Sequence, residues 1–139
     1  MQLQMDIPAL HDFIASTFPQ VQGDFFVDML APGRIAVQMQ VGDQHLRPGG
    51  TISGPAMFAL ADVTIYLLIL AHIGPKALAV TTSCNLDFMR KPAAGQPLVC
   101  DARLLKLGKS LAVSDALIHS AGQAGPVARA SMTYAIPPA

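Results

Sequence analysis

One carboxylate stands alone inside the longest apolar stretch of the chain. Residues 56–73 read AMFALADVTIYLLILAHI, and Asp62 is their only charged residue. A buried carboxylate without a partner is costly, so Asp62 needs either a structural partner or a pocket. In a pocket it can act as a general base or as a nucleophile. The structural alternative is a bond to the backbone or an ion pair with Arg47. All nine acidic residues are aspartates, so any carboxylate chemistry in this chain must come from an Asp.

A second candidate group lies just before this stretch, at Ser53-Gly54-Pro55. Pro55 suits the first turn of a helix, where its missing N–H is no loss. Gly54 would let a ligand approach the backbone closely. The free N–H groups at a helix N-terminus favour a developing oxyanion. Taken alone, the pattern fits a plain glycine loop with an N-cap better than an oxyanion site.

The elements around these groups follow from hydrophobic periodicity and turn residues. Apolar residues at helical spacing predict an N-terminal helix over 6–18, and the apolar stretch predicts a buried helix over 54–73. Alternating residues predict strands over 24–31, 33–41, 77–89, 98–107, 110–120 and 126–136, with a turn at 92–97. Within 77–89, strict alternation puts Leu78, Val80, Thr82, Cys84, Leu86 and Phe88 on one face and Ala79, Thr81, Ser83, Asn85 and Asp87 on the other.

This order of elements restricts the architecture. A sheet of about six strands can hide one central apolar helix only by curling around it. The sequence therefore predicts an α+β protein, a single domain over residues 1–139, with an antiparallel sheet wrapped around the long helix. That arrangement is the hotdog fold in outline.

Composition excludes several classes of function. The net charge is zero without a basic cluster, which argues against nucleic-acid binding. An aspartate inside the apolar helix argues against a membrane span. The four histidines lack metal-ligand spacing, so we predict neither a metal nor a resident cofactor.

Composition also indicates the setting of the chain. Only 13% of residues are charged, against about 25% in average domains, which predicts that apolar surface is buried between subunits. Cys84 and Cys100 form no CxxC motif, so we expect reduced thiols that fill the core of a cytoplasmic protein. The first residues lack the pattern of a signal peptide.

The stretch HLRPGGTISGPAMFALAD, from His45 to Asp62, resembles the signature of the PaaI-like acyl-coenzyme A thioesterases. That signature reads Asn-x-x-Gly-x-x-His-Gly-Gly, with the catalytic acid seven residues further on. Gly50, Gly54 and Asp62 match it in register. The segment TTSCNLDF at 81–88, a Pro-x-x-Gly turn at 92–95 and Leu-Gly-Lys at 107–109 are also similar to the family. The resemblance covers residues 34–136 and again implies the hotdog fold.

The resemblance implies roles for individual residues. Asp62 would be the catalytic acid, the Gly54 amide would polarise the thioester carbonyl, and Thr81 would assist the attacking water. Arg47 stands in place of the family Asn, Ser53 in place of the His, and Pro55 in place of the second Gly. Arg47 could pair with Asp62 or bind an anionic acyl group. Substrate-binding candidates are Arg47, Gly50, Ser53, Pro55, Phe58 and Tyr66.

The resemblance also implies an assembly. The acid and the Gly54 amide would come from opposite subunits of a homodimer, which we expect to assemble further into a tetramer. The phosphates of coenzyme A, here part of the substrate, would meet basic side chains. The candidates are Arg90, Lys91, Lys106 and Lys109, each of which could equally be a solvated surface charge.

Three hypotheses for function remain. The first is hydrolysis of an acyl-coenzyme A thioester by Asp62 and the Gly54 amide. The second is non-hydrolytic binding of such a ligand, with a structural Arg47–Asp62 pair. The third, a hydratase or dehydratase, ranks last because it needs a histidine beside the acid, and none occurs between Asp62 and His72.

Overall fold

The structure, a computed structural model, describes residues 1–21, 23–93 and 95–138. Two helices and six strands make up the fold, together with short 3₁₀ turns at Pro19–Val21 and Asp43–His45. In chain order they are α1 (Ile7–Thr17), β1 (Phe25–Ala31), β2 (Arg34–Met39), α2 (Gly54–Ile73), β3 (Val80–Phe88), β4 (Leu98–Leu107), β5 (Leu111–Ser120) and β6 (Ala128–Ala135).

The six strands form one antiparallel sheet in the order β1-β2-β4-β5-β6-β3. The sheet curls around α2, which confirms the predicted hotdog architecture. Strands β1 and β3 are the edges. The edge position of β3 is decisive for the site, because α2 leaves most of this strand uncovered.

Helix α2 has the predicted bounds because its ends carry strong signals. The Ser53 hydroxyl accepts a hydrogen bond from the Ala56 amide at 3.2 Å, and Pro55 lies in the first turn. The helix ends at Gly74, whose φ of 88° is a left-handed conformation that glycine tolerates. Every residue from Val63 to His72 is buried.

The burial of α2 accounts for its composition. The helix is long and apolar enough to cross a membrane, but 78% of its most apolar window is buried inside this protein. Each fully buried leucine or isoleucine contributes about 1.5–3 kcal/mol to folding. The apolar character of α2 is therefore that of a core helix.

The other predicted bounds are close to those observed. Helix α1 begins one residue later than predicted because Asp6 is its N-cap and accepts from the Ala9 amide at 2.9 Å. The strands match or are up to three residues shorter at an end. The turn predicted at 92–97 includes residue 94, which lies outside the described residues.

The prediction of strict alternation along 77–89 is wrong. The β3–β6 register shifts between Thr81 and Ser83, so Thr81 pairs with Tyr134 while Cys84 pairs with Met132. One extra residue in a strand reverses the alternation beyond it. The bulge therefore turns Thr81 to the helix side of the sheet, the same side as Cys84, Leu86 and Phe88.

The prediction that both cysteines fill the core holds for one of them. Cys100 is fully buried, and burial raises the pKa of its thiol to about 12. Cys84 is exposed, because it lies on the edge strand β3 where α2 does not cover the helix side of the sheet.

Candidate active site

The carboxylate of Asp62 is held by two hydroxyl groups from two different strands. Thr81 Oγ1 on β3 donates to Asp62 Oδ1 at 2.5 Å, and Tyr134 Oη on β6 donates to the same oxygen at 2.6 Å. The Tyr134 hydroxyl also lies 3.0 Å from the main-chain oxygen of Asp62. Among the residues that the structure describes, none bonds the second carboxylate oxygen, Oδ2. This oxygen is therefore free to act on a ligand.

Asp62 opens into a cleft of about 530 Å³ between α2, the start of β3 and the end of α1. Asp62 and Phe18 are partly buried, whereas Tyr66 and Tyr134, which form the rest of the aromatic wall, are buried. Tyr66 lies 6.2 Å from Phe18 in an edge-to-face contact and 6.3 Å from Tyr134, measured between ring centroids. The Tyr66 hydroxyl is engaged by the carbonyl of Ala77 at 3.1 Å. The cleft thus has one polar end and an aromatic wall.

The N-terminus of α2 offers a free amide. The first amides of a helix have no partner within the helix. Here the Ala56 amide bonds the Ser53 hydroxyl, the Met57 amide bonds the Ser53 carbonyl, and Pro55 has no N–H. In the part of the chain that the structure describes, the Gly54 amide has no such bond. A Cβ atom at position 54 would lie 3.2 Å from the Phe88 ring. Glycine therefore also leaves room for a ligand to approach the amide.

Gly54 and Asp62 belong to the same stripe of α2 but are far apart. Gly54, Phe58 and Asp62 follow one another at spacings of four residues, which puts them on one side of the helix. Eight residues at 1.5 Å each separate Gly54 from Asp62 by about 12 Å along the axis. Phe58 lies between them and is 39% exposed. Within one chain, the amide and the carboxylate are therefore too far apart to act on the same carbonyl.

The loop before α2 places Arg47 away from Asp62. An isolated bridge joins Leu46 to Ile52, and the Arg47 amide bonds the Thr51 carbonyl at 2.8 Å. Gly50 closes the turn with a φ of 80°. Arg47, Gly50 and Pro55 are exposed, and Ser53 is partly exposed.

The Arg47–Asp62 pair is not formed within one chain. Three ion pairs occur among the described residues, and all lie on the outer face of the sheet. They are Arg34–Asp101, Arg103–Asp115 and Arg129–Asp87.

The four basic candidates for coenzyme A binding do not form one cluster. Arg90 and Lys91 follow the end of β3, where the Arg90 amide bonds the Val127 carbonyl at 3.2 Å. Lys106 and Lys109 lie at the β4–β5 hairpin, next to the end of β6 and the start of β3. About 26 Å of strand separates the two pairs. All four side chains are exposed.

Comparison with known proteins assigns the family. Residues 49–134 match the model of the thioesterase superfamily. The chain belongs to this superfamily. A solved structure of a candidate thioesterase from a Silicibacter species has a TM-score of 0.93 and 56% identity, covering 99% of this chain and 96% of that one.

Two further relatives narrow the assignment of this thioesterase within the superfamily. A single-site variant of the phenylacetic acid degradation protein PaaI from Thermus thermophilus is 30% identical, with a TM-score of 0.73 over 86% of this chain and 99% of that one. Human acyl-coenzyme A thioesterase 13 is 30% identical over 99 residues, which are 70% of this chain and 69% of that protein. The resemblance to PaaI-like hotdog thioesterases is confirmed, and the chain is a thioester hydrolase.

In this thioesterase, the structure places the sequence-predicted residues Asp62, Thr81 and Tyr66 in one cleft, together with Tyr134, which sequence reasoning missed. The alternation of β6 puts Tyr134 on the face with Met132, but it does not say what lies opposite. The Asp62–Tyr134 bond depends on the β3–β6 register and on the position of α2, and neither is visible in a local pattern.

Proposed function

We propose that this thioesterase hydrolyses acyl-coenzyme A to the free acid and coenzyme A at a site shared by two copies of the chain. The observation that carries the proposal is the carboxylate of Asp62, which lines the cleft and whose Oδ1 is held by two hydroxyls while none of the described residues bonds Oδ2. The name of the human relative supports coenzyme A thioesters as the substrate class. The aromatic wall of the cleft would hold the acyl group.

Hydrolysis at this site has two possible first steps, which differ in the atom that attacks. In the base route, Asp62 Oδ2 takes a proton from water as the water oxygen bonds to the thioester carbon. In the nucleophile route, Oδ2 itself bonds to that carbon, and water later cleaves the anhydride. In both, the carbonyl oxygen becomes negative and accepts a bond from the Gly54 amide. Collapse breaks the C–S bond, and the departing thiolate takes the proton held by Asp62 in the base route or a proton from water in the nucleophile route.

The separation of about 12 Å between Gly54 and Asp62 supports a site made by two chains. Asp62 is bonded to Thr81 at the start of β3, and Gly54 lies against Phe88 at its end. If two free β3 edges pair antiparallel, the start of one strand meets the end of the other. The Asp62 carboxylate of one copy then approaches the Gly54 amide of the other. Each dimer would hold two such sites.

The surface around β3 has the composition of a buried interface. An edge strand with unpaired backbone groups and apolar side chains is a template for pairing with another chain. Exposed apolar side chains flank this edge and the open stripe of α2. They are Phe58, Leu78, Val80, Phe88 and Met89, which are between 39% and 76% exposed.

The same pairing would bring the basic residues together. Arg90 and Lys91 of one copy would lie at the end of the joined sheet that carries Lys106 and Lys109 of the other. Four positive charges near one mouth of the shared site would suit the phosphates of coenzyme A. Assembly into a tetramer and a cytoplasmic location remain predictions, which sedimentation and cell fractionation would test.

An activity screen tests the proposal. We expect the parent protein to release thiol from at least one of a panel of acyl-coenzyme A thioesters. Loss of a base or nucleophile in Asp62→Asn should lower kcat by about 10²- to 10⁴-fold while the fold is kept. Asp12→Asn, which removes the same charge from the exposed face of α1, is the control. A folded Asp62→Asn protein with the parent rate would refute the catalytic role.

A further inference from the structure

Tyr134 contacts Asp62 at two points although the two residues are 72 positions apart. Its side chain is 2% exposed and packs against Tyr66, so its hydroxyl is the polar tip of a buried ring. The hydroxyl lies 2.6 Å from the carboxylate oxygen Oδ1 and 3.0 Å from the main-chain oxygen of Asp62. One hydroxyl therefore lies within hydrogen-bond distance of both the side chain and the backbone of the proposed catalytic residue.

The hydroxyl of Tyr134 remains a donor over the whole working pH range. Burial raises the pKa of Tyr134 far above its usual value, and the negative charge of Asp62 adds a smaller increase in the same direction. A protonated phenol facing a carboxylate donates its hydrogen. Thr81 donates to the same oxygen from β3. Two donors from two strands thus converge on Oδ1, and rotation of the carboxylate would break both bonds.

We infer that Tyr134 is a positioning residue, which with Thr81 fixes the rotamer of Asp62 so that Oδ2 is the oxygen that acts on water or on the thioester. The inference rests on the proposed hydrolysis. The second contact of Tyr134 gives it a further property. When Asp62 Oδ2 has taken up a proton or formed the acyl bond of the anhydride, the Tyr134 hydrogen can turn to the main-chain oxygen 3.0 Å away. Tyr134 can therefore hold Asp62 in both charge states.

Tyr134→Phe keeps the ring and removes only the hydroxyl. Loss of a hydrogen bond to a charged group predicts a decrease in kcat of about 10- to 100-fold. KM should change less than about twofold, because the ring that lines the cleft is retained. The acid limb of the kcat/KM profile should move to higher pH, because a donor that favours the charged carboxylate is gone. A purely structural hydroxyl would alter stability without moving this limb.

Tyr66→Phe is the matched control. It removes the other buried phenol of the cleft, whose hydroxyl donates to Ala77 rather than to Asp62. The acid limb should stay in place in this variant. A folded Tyr134→Phe protein with the parent kcat and the parent acid limb would overturn the inference.

Carbon-13 spectra separate this inference from the proposed function. In aspartate-labelled protein, the Asp62 carboxylate signal, assigned through its loss in Asp62→Asn, should move in Tyr134→Phe and stay in Tyr66→Phe. If the parent protein hydrolyses no thioester, the proposed function fails, while an unmoved Asp62 signal overturns the positioning role independently. If Tyr134→Phe does not fold, the ring Cζ signals give the answer. The Tyr134 signal should respond to Asp62→Asn, and that of Tyr66 should not.

Discussion

Thr81 and Tyr134 are cross-strand partners on β3 and β6, and their hydroxyls bond the same carboxylate oxygen of Asp62. The bulge after Thr81 makes this possible, because without it the Thr81 side chain would point to the outer face of the sheet. Residue 82 is therefore as much a part of the site's geometry as the residues that contact Asp62. The bulge shows how a single backbone irregularity can orient a side chain towards a functional group.

Loss of the Thr81 hydroxyl should weaken catalysis. In Thr81→Val the shape is kept and one of the two donors to Oδ1 is lost, so kcat/KM should fall by about tenfold or more. Thr81→Ser keeps the hydroxyl and should retain most of the activity. Thr133→Val is a neighbouring control, since Thr133 lies on the opposite face of β6 from Tyr134 and does not bond Asp62. Equal activity in the Val and Ser variants at position 81 would exclude a role for the hydroxyl.

Mixed dimers should reveal whether the site is shared. Gly54→Pro removes the amide at a helical position that tolerates proline, and Asp62→Asn removes the charge. Each variant alone should be nearly inactive. When the two are co-expressed with different tags and the mixed dimer is purified, one of its two sites has both native groups. We expect about half of the parent activity per dimer.

The same experiment has a clear negative outcome. If both groups acted within one chain, every chain of the mixed dimer would carry a defect, and activity would not return. Gly54→Ala keeps the amide and adds only a methyl group 3.2 Å from the Phe88 ring, so it separates crowding from loss of the N–H.

Phe18 should limit the size of the acyl group. Its ring contacts the Tyr66 ring edge-on, at the end of the cleft next to the C-terminus of α1. Phe18→Ala opens this end, so the ratio of kcat/KM for a long or bulky acyl group to that for a short one should rise by about tenfold. A panel of thioesters with increasing acyl length measures it. Phe26→Ala, at an exposed position of β1, should leave the ratio unchanged.

The protein should lose stability as the pH rises above about 9 to 10. Burial raises the pKa of Tyr66, of Tyr134 and of Cys100, the last to about 12. In the unfolded chain these groups lose their protons near their ordinary pKa values of about 10 for tyrosine and about 8.5 for cysteine, while the folded protein keeps them. The unfolded state then binds fewer protons, so the free energy of unfolding falls with pH.

Urea unfolding at a series of pH values measures this effect. Each group should contribute a slope of up to about 1.4 kcal/mol per pH unit. Absorbance of tyrosinate in the near ultraviolet should appear only as the protein unfolds. In Tyr134→Phe the free energy of unfolding should fall less steeply above a pH of about 10, by the contribution of one tyrosine. Ionisation of both tyrosines in the folded protein at a pH of about 11 would contradict the prediction.

Local sequence signals were sufficient for much of the fold. The Ser53-Gly54-Pro55 start and the Gly74 end define α2, and its apolar faces predict its burial. The alternation on β2, β5 and β6 is regular because each has one face on the core. β3 is different. Most of both of its faces is left uncovered by the described residues, so the pattern there does not report burial, and the bulge has no signature in the residues themselves.

The site was predictable only in part for a similar reason. Asp62 stands out because a charge in an apolar helix needs an explanation. Tyr134 does not, since an inward-facing tyrosine on a strand is an ordinary core residue until the register brings it to Asp62. The sequence allowed an Arg47–Asp62 pair, because the separation of two residues along the chain does not show that the loop before α2 directs Arg47 away from Asp62.

The length of helix between Gly54 and Asp62 has a consequence for regulation. In the proposed assembly no single chain holds a working site, so the specific activity depends on how much protein is present. Below the dissociation constant of the dimer, dilution would switch the enzyme off without any change in its fold. Expression level would then act on the rate twice, through the number of chains and through the fraction that is paired. A plot of rate against protein concentration would therefore curve upward at low concentration instead of being a straight line.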